Sequence, residues 1–184
     1  ISMSGSSHYK KPGQPQSAEK QSELVLQSEL ARGGMGAVYK ARDLQLGRVL
    51  AVKVALDNCS QREFFEEASI TGQLEHPNIV PVHDAGQLAD GRSFFSMKLI
   101  HGQSLKAALK ESLNLVKNPS ERLSGFLEVF LKICDAMAFA HNKNVIHRDL
   151  KPENVMLGDF GEVLVVDWGI ARVQGGELRS IQSA

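Results

Sequence analysis

Several things are scarce in this 184-residue sequence, and each scarcity closes off a class of function. There is no excess of charge of either sign: 21 Lys and Arg face 21 Asp and Glu, so no bulk field draws the chain to nucleic acid or an anionic membrane, and any phosphate recognition has to be local. Long apolar runs are missing. No stretch nears the roughly 18 residues of a membrane span, and the N-terminus lacks the apolar run of a signal peptide. Cysteine is down to Cys59 and Cys134, far apart and without CxxC spacing, which argues against a metal site or disulfide framework and for a reducing, cytoplasmic setting. No internal repeat is present. What remains, 42% hydrophobic and 23% charged, is the composition of one soluble globular domain. The start at Ile1 rather than Met, and the stop in a polar stretch at Ala184, read as two cuts in a longer protein.

Residues 1–22 are rich in Ser, Gly, Pro, Gln and Lys with almost nothing to bury, and are expected to form a disordered tail or linker. From Leu24 the pattern changes to β-prone runs bounded by turn residues, Leu24 to Leu30, Ala37 to Ala41 and Val49 to Ala55. A helix is expected over Gln61 to Leu74, ended by His76-Pro77-Asn78, then strands at Ile79 to Ala85 and Phe94 to Ile100. Together these predict a five-stranded antiparallel sheet with one helix. Ser104 can cap a short helix to about Glu111, followed by a polar loop over Leu113 to Glu121 that contains Asn118-Pro119. A core helix is expected from Leu123 to Asn142, with Phe126, Phe130, Ile133, Cys134 and Met137 on its apolar stripe. Val155 to Leu157 and Val163 to Val166 read as two short strands around a Gly158 to Gly161 turn, and no periodicity is visible after Arg172.

Between the first two strands lies Ala31-Arg32-Gly33-Gly34-Met35-Gly36-Ala37-Val38, where glycines let the backbone turn tightly and approach a phosphate, or simply make a hairpin turn. Seventeen residues after Gly36, the apolar strand delivers Lys53. Its charge calls for an anion nearby, unless it is a sheet-edge lysine reaching water. The second half carries His147-Arg148-Asp149-Leu150-Lys151-Pro152-Glu153-Asn154. A carboxylate, a lysine two positions on and an amide five positions on, in a loop held by proline, can face one bound phosphate and its metal. Asp167-Trp168-Gly169 follows thirteen residues after Asn154 at a strand end, where Asp167 suits a hard oxygen ligand for Mg²⁺ or merely starts a turn.

In this order the motifs resemble the eukaryotic-like protein kinases, and within them the bacterial Hanks-type serine/threonine kinases; the likeness covers about Leu24 to Arg172. It implies an α+β, two-lobe kinase-like fold: residues 23–101 as N-lobe, and 102–184 as a partial C-lobe ending in the activation segment. It also implies ATP and Mg²⁺ as cofactors. Gly33, Gly34 and Gly36 would cover the phosphates, and Lys53 would hold them while paired with Glu67, with Glu66 and then Glu63 as fallbacks. Asp149 would accept the substrate hydroxyl proton and Lys151 would steady the γ-phosphate, with Asn154 and Asp167 holding the metal. Ala51 and Met156 would line the adenine slot with Leu30 and Val38 on its other face, Met97 would stand at the gatekeeper position, and the adenine would hydrogen-bond to the hinge backbone around Lys98 to Ile100, Leu99 included, though each could equally be plain core; Ala31 would belong to the nucleotide-covering loop. His147 is expected to pack and hydrogen-bond rather than transfer protons, and Arg148 is a buried-cation candidate that could grip a phosphate.

Three departures stand out. Ala31 replaces the first glycine of the loop, Trp168 replaces the phenylalanine of the usual Asp-Phe-Gly, and the sequence stops before any Ala-Pro-Glu segment, so the fragment is expected to be inactive alone. The resemblance implies transfer of the ATP γ-phosphoryl group to Ser or Thr hydroxyls of proteins, autophosphorylation included. Ser180 and Ser183 lie near the start of the activation segment. Two alternatives stand beside this reading: a pseudokinase or nucleotide-binding interaction module, and a small-molecule phosphotransferase of the same fold. A downstream membrane tether in the parent is compatible with all three.

Overall fold

The computed structural model describes residues 24–57, 59–115 and 118–174. The expected tail at 1–22 and the serines at 180 and 183 lie outside them. Five strands form one antiparallel sheet: β1 (Leu24–Arg32), β2 (Gly36–Asp43), β3 (Arg48–Ala55), β4 (Val82–Gln87) and β5 (Ser93–Lys98), in the order β1-β2-β3-β5-β4. Helix α1 (Gln61–Gly72) joins β3 to β4. Ser60 caps it by accepting from the Glu63 N–H, and Phe64, Glu67, Ala68, Ile70 and Thr71 form its buried side. Phe64 and Ala68 pack with Ala55 and Phe95, which fixes the helix to the inner face of β3 and β5.

The second half is mainly helical. After the short β6 (Gly102–Ser104) come α2 (Leu105–Leu115), α3 (Pro119–Asn142) and β7 (Val145–Ile146). A 3₁₀ turn at Pro152–Asn154 leads into β8 (Val155–Gly158), β9 (Val163–Val165) and β10 (Arg172–Val173). β6, β8 and β9 form a small antiparallel sheet, and β10 pairs with β7. The buried core between the halves gathers Ile70 and Leu74 from the α1 side, Ala136 and Ala140 of α3, Val145, Val165 and Trp168.

Several sequence expectations are corrected. The polar loop at Leu113 to Glu121 is largely helix: α2 runs to Leu115 and α3 begins at Pro119, with the Asn118 side chain accepting from the Ser120 N–H. Proline there is an initiator, because the first helical residue has no intrahelical N–H to lose. The fourth strand starts at Val82, since Ile79 and Val80 pair instead with Val165 across the two halves. On α3 the buried side is Ile133, Ala136 and Ala140, while Phe130 and Cys134 are exposed. The buried stripe is thus rotated about one position from the one traced through the aromatics. Arg148 is exposed rather than buried, and no ion pair holds it among the described residues.

Candidate active site

Lys53 is placed by strand register. It sits mid-β3, opposite Val38 of β2 and Phe95 of β5, and its ammonium lies 5.8 Å from the Phe95 ring centroid. From there Nζ donates to both carboxylate oxygens of Glu67, at 2.6 and 2.7 Å. The phase of α1 decides this partner: Glu67 faces inward with its side chain 3% exposed, whereas Glu63 and Glu66 face solvent. Burial pushes the Glu67 carboxyl above its ordinary value, and the Lys53 charge works against that push. Lys53 itself is 12% exposed and also lies 3.8 Å from Asp167 Oδ1. Asp167, in contrast, keeps a half-exposed side chain and a left-handed backbone with φ 60°, unusual for a non-glycine residue.

The loop carrying Asp149 is built from inside out. His147 is buried, its Nδ1 accepting from the Asp149 N–H at 3.3 Å and its Nε2 lying 3.1 Å from the Val166 carbonyl. This arrangement suits a neutral ring, with the proton on Nε2, and burial lowers the His147 pKa accordingly. Its imidazole packs against the Trp168 indole, with ring centroids 4.5 Å apart. Asn154 ties the loop together: its Nδ2 donates to the Asp149 carbonyl and to Asp149 Oδ2, and its carbonyl accepts from the Val166 N–H. Lys151 donates to the same Oδ2 at 2.7 Å, and this bond holds the Asp149 carboxyl below its usual range and raises Lys151. Asp149 is therefore ionised at neutral pH.

These groups converge on one cleft between the halves, a cavity of about 800 Å³. That is ample for a nucleotide-sized ligand. Leu30, Ala31, Gly33, Gly34, Gly36, Val38, Ala51, Lys53, Glu67, Met97, Leu99, Asp149, Asn154, Met156 and Asp167 all line it. Lys151 is not part of this lining, and it reaches the site only through Asp149. Sequence reading passed over Met35, Val80, Phe95, Gln103 and Gly169, which also line the cleft. Phe95 pairs opposite Lys53 and, two residues before Met97, shares the cleft face of β5 with it.

The donor set suits a hard cation. Asp167 offers a half-exposed carboxylate, and Asn154, whose Nδ2 is committed to Asp149, keeps Oδ1 as an acceptor. Among the described residues no group of three or more His, Cys, Asp or Glu could hold a metal by itself. A Mg²⁺ held by these two residues would draw its other ligands from phosphate and water, as that ion usually does.

Residues 24–182 match the protein kinase domain family. The serine/threonine-protein kinase PknD of Chlamydia muridarum is 42% identical over 153 residues, which cover 77% of this chain and 16% of that protein. The proteins of the same name from Protochlamydia amoebophila and from Chlamydia trachomatis serovar L2b are 37% and 40% identical. They are matched over 78% and 77% of this chain and again 16% of their own length. The chain thus spans about a sixth of these relatives. With the family matched from the first described strand onwards, the chain belongs to the protein kinase domain family.

Proposed function

We propose that this chain carries the nucleotide site and catalytic loop of an ATP-dependent protein serine/threonine kinase, with residues 23–101 as N-lobe and 102–184 as the first part of the C-lobe. One observation carries the proposal: the buried Lys53–Glu67 pair and Asp167 stand in the same cleft as Asp149 and Asn154. Such chemistry is mostly positioning and charge neutralisation, and the residues divide accordingly. Glu67 holds Lys53 extended towards the phosphates, and the glycine-rich loop covers them. Asp149 takes the proton of the acceptor hydroxyl as the oxygen attacks, and Lys151, which reaches the site through its bond to Asp149, would balance charge on the transferred group. Asn154 and Asp167 are the residues that would hold Mg²⁺, which when bound neutralises the phosphate oxygens.

The acceptor is a protein Ser or Thr, as the names of the relatives suggest, and we include autophosphorylation in the same reading. No helix among the described residues is long and apolar enough to cross a membrane. We place the catalytic part in the cytoplasm, where ATP is.

The test is Mg²⁺-dependent transfer of labelled γ-phosphate from ATP to the protein itself and to a generic protein acceptor, using the full-length protein. Label on Ser or Thr that disappears in Asp167→Ala is the expected result. A folded protein that binds ATP and never incorporates label would overturn the kinase reading in favour of a nucleotide-binding interaction module.

A further inference from the structure

The tip of the glycine-rich loop is anchored across the cleft. Within the loop the Gly33 N–H donates to the Gly36 carbonyl at 2.9 Å, and the Met35 carbonyl accepts from the Leu56 N–H at 3.4 Å, so the tip is a closed turn fixed to the end of β3. The Gly34 position has open space around it. Met35 is different, because it is half-buried and reaches the opposite wall. A methyl group placed on Gly169 would lie 3.3 Å from Met35 Sδ, 3.1 Å from Glu67 Oε2 and 3.4 Å from Asp167 Oδ1. The methionine sulfur, the Lys53-bound carboxylate and the candidate metal-binding aspartate therefore crowd round one glycine.

We propose that Met35 is a positioning residue for the nucleotide triphosphate: its thioether seats the glycine-rich loop on Gly169 and sets the height of the loop over Lys53 and Asp167. The inference rests on the nucleotide reading of the cleft and extends it to the one non-glycine residue at the tip of the Gly33–Gly36 turn. Preorganisation is what the contact supplies. A glycine-rich turn has many conformations to lose when it closes over phosphates, and a contact already made in the free protein removes part of that cost. Methionine suits the task, since an unbranched, polarisable side chain can fill the irregular gap beside Gly169 without demanding a single shape. The cleft stays open with Met35 seated: Gly33, Gly34, Lys53 and Asp167 still line a cavity of about 800 Å³. Met35 thus acts as a strut at the phosphate end rather than a plug.

The test compares two ligands by calorimetry on the full chain, Mg-ATP and adenosine, because only the first reaches the phosphate end. Met35→Ala should weaken Mg-ATP about five- to tenfold, the scale of one lost packing contact, and leave adenosine unchanged. Met35→Leu, which restores apolar bulk, should bind both within about twofold of the parent chain. Equal weakening of both ligands would mean a merely structural role, and unchanged or tighter Mg-ATP binding would mean no contact or a plug; each overturns the proposal. If the parent chain binds adenosine and Mg-ATP but Met35→Ala is silent, the strut fails alone. If the parent chain binds neither, the nucleotide reading fails with it.

Discussion

At the scale of single residues, the deciding feature is a buried charge pair. Lys53 and Glu67 are almost withdrawn from water, and each makes the other's burial tolerable. Replacing Lys53 by Met strands a carboxylate among apolar neighbours, so the variant should lose about 3–5 kcal/mol near neutral pH. The sign of its pH dependence follows from Glu67. Burial already pushes that carboxyl up, and loss of the ammonium, which held it down, pushes it further. The folded variant then takes up a proton at a pH where the unfolded chain has released it, so the penalty is small in acid and grows as pH rises through the ordinary Glu range and beyond. Urea melts of Lys53→Met and the parent chain at about pH 5 and about pH 8 measure this. A gap of the same size at both would mean that Glu67 is not the stranded group.

At the scale of elements, local capping decides where helices begin. The Asn118 side chain accepts from the Ser120 N–H at 3.0 Å, and Pro119 follows it, so a dipeptide that looks like a loop signal opens a 24-residue helix. Asn118→Ala should cost about 1 kcal/mol, read as a lower thermal midpoint, and Asn118→Ser should recover most of it. A melt that does not distinguish the alanine from the serine would show that proline alone fixes the start. The same element shows what a sequence can and cannot convey. Strands β2 and β3, helix α1 and the Asp149 loop were legible because periodicity, turn residues and a fixed spacing all act within a few residues of each other. Strand β6, the β7–β10 pair and the cleft position of Met35 were not, because each depends on a partner more than twenty residues away. Arg148 failed for a related reason: its left-handed backbone, φ 71°, turns it out to solvent, and nothing in the residue type announces that.

At the scale of the whole molecule, the two halves are joined on both sides of the cleft. Behind it, the Val165 N–H donates to the Asn78 carbonyl, the Val80 N–H to the Val165 carbonyl, and Asn78 Nδ2 to the Val163 carbonyl. At the hinge, Lys98 pairs with Glu162 and the Asp159 N–H donates to the His101 carbonyl. Gly102 is the narrow point of this second joint. It pairs with Gly158 in β8 and has φ 152°, and a methyl group there would sit 1.9 Å from the Leu157 carbonyl oxygen, a backbone atom that cannot step aside. Gly102→Ala must therefore push β6 away from β8, and Leu99, Gln103, Ser104 and Met156 line the cleft on either side of that joint. The expected result is a loss of about 2–4 kcal/mol in a denaturant melt, together with weaker adenosine binding. Gly34→Ala, which meets open space, should melt with the parent chain. If Gly102→Ala melts with the parent too, the β6–β8 pairing yields without cost and the hinge is not a fixed joint.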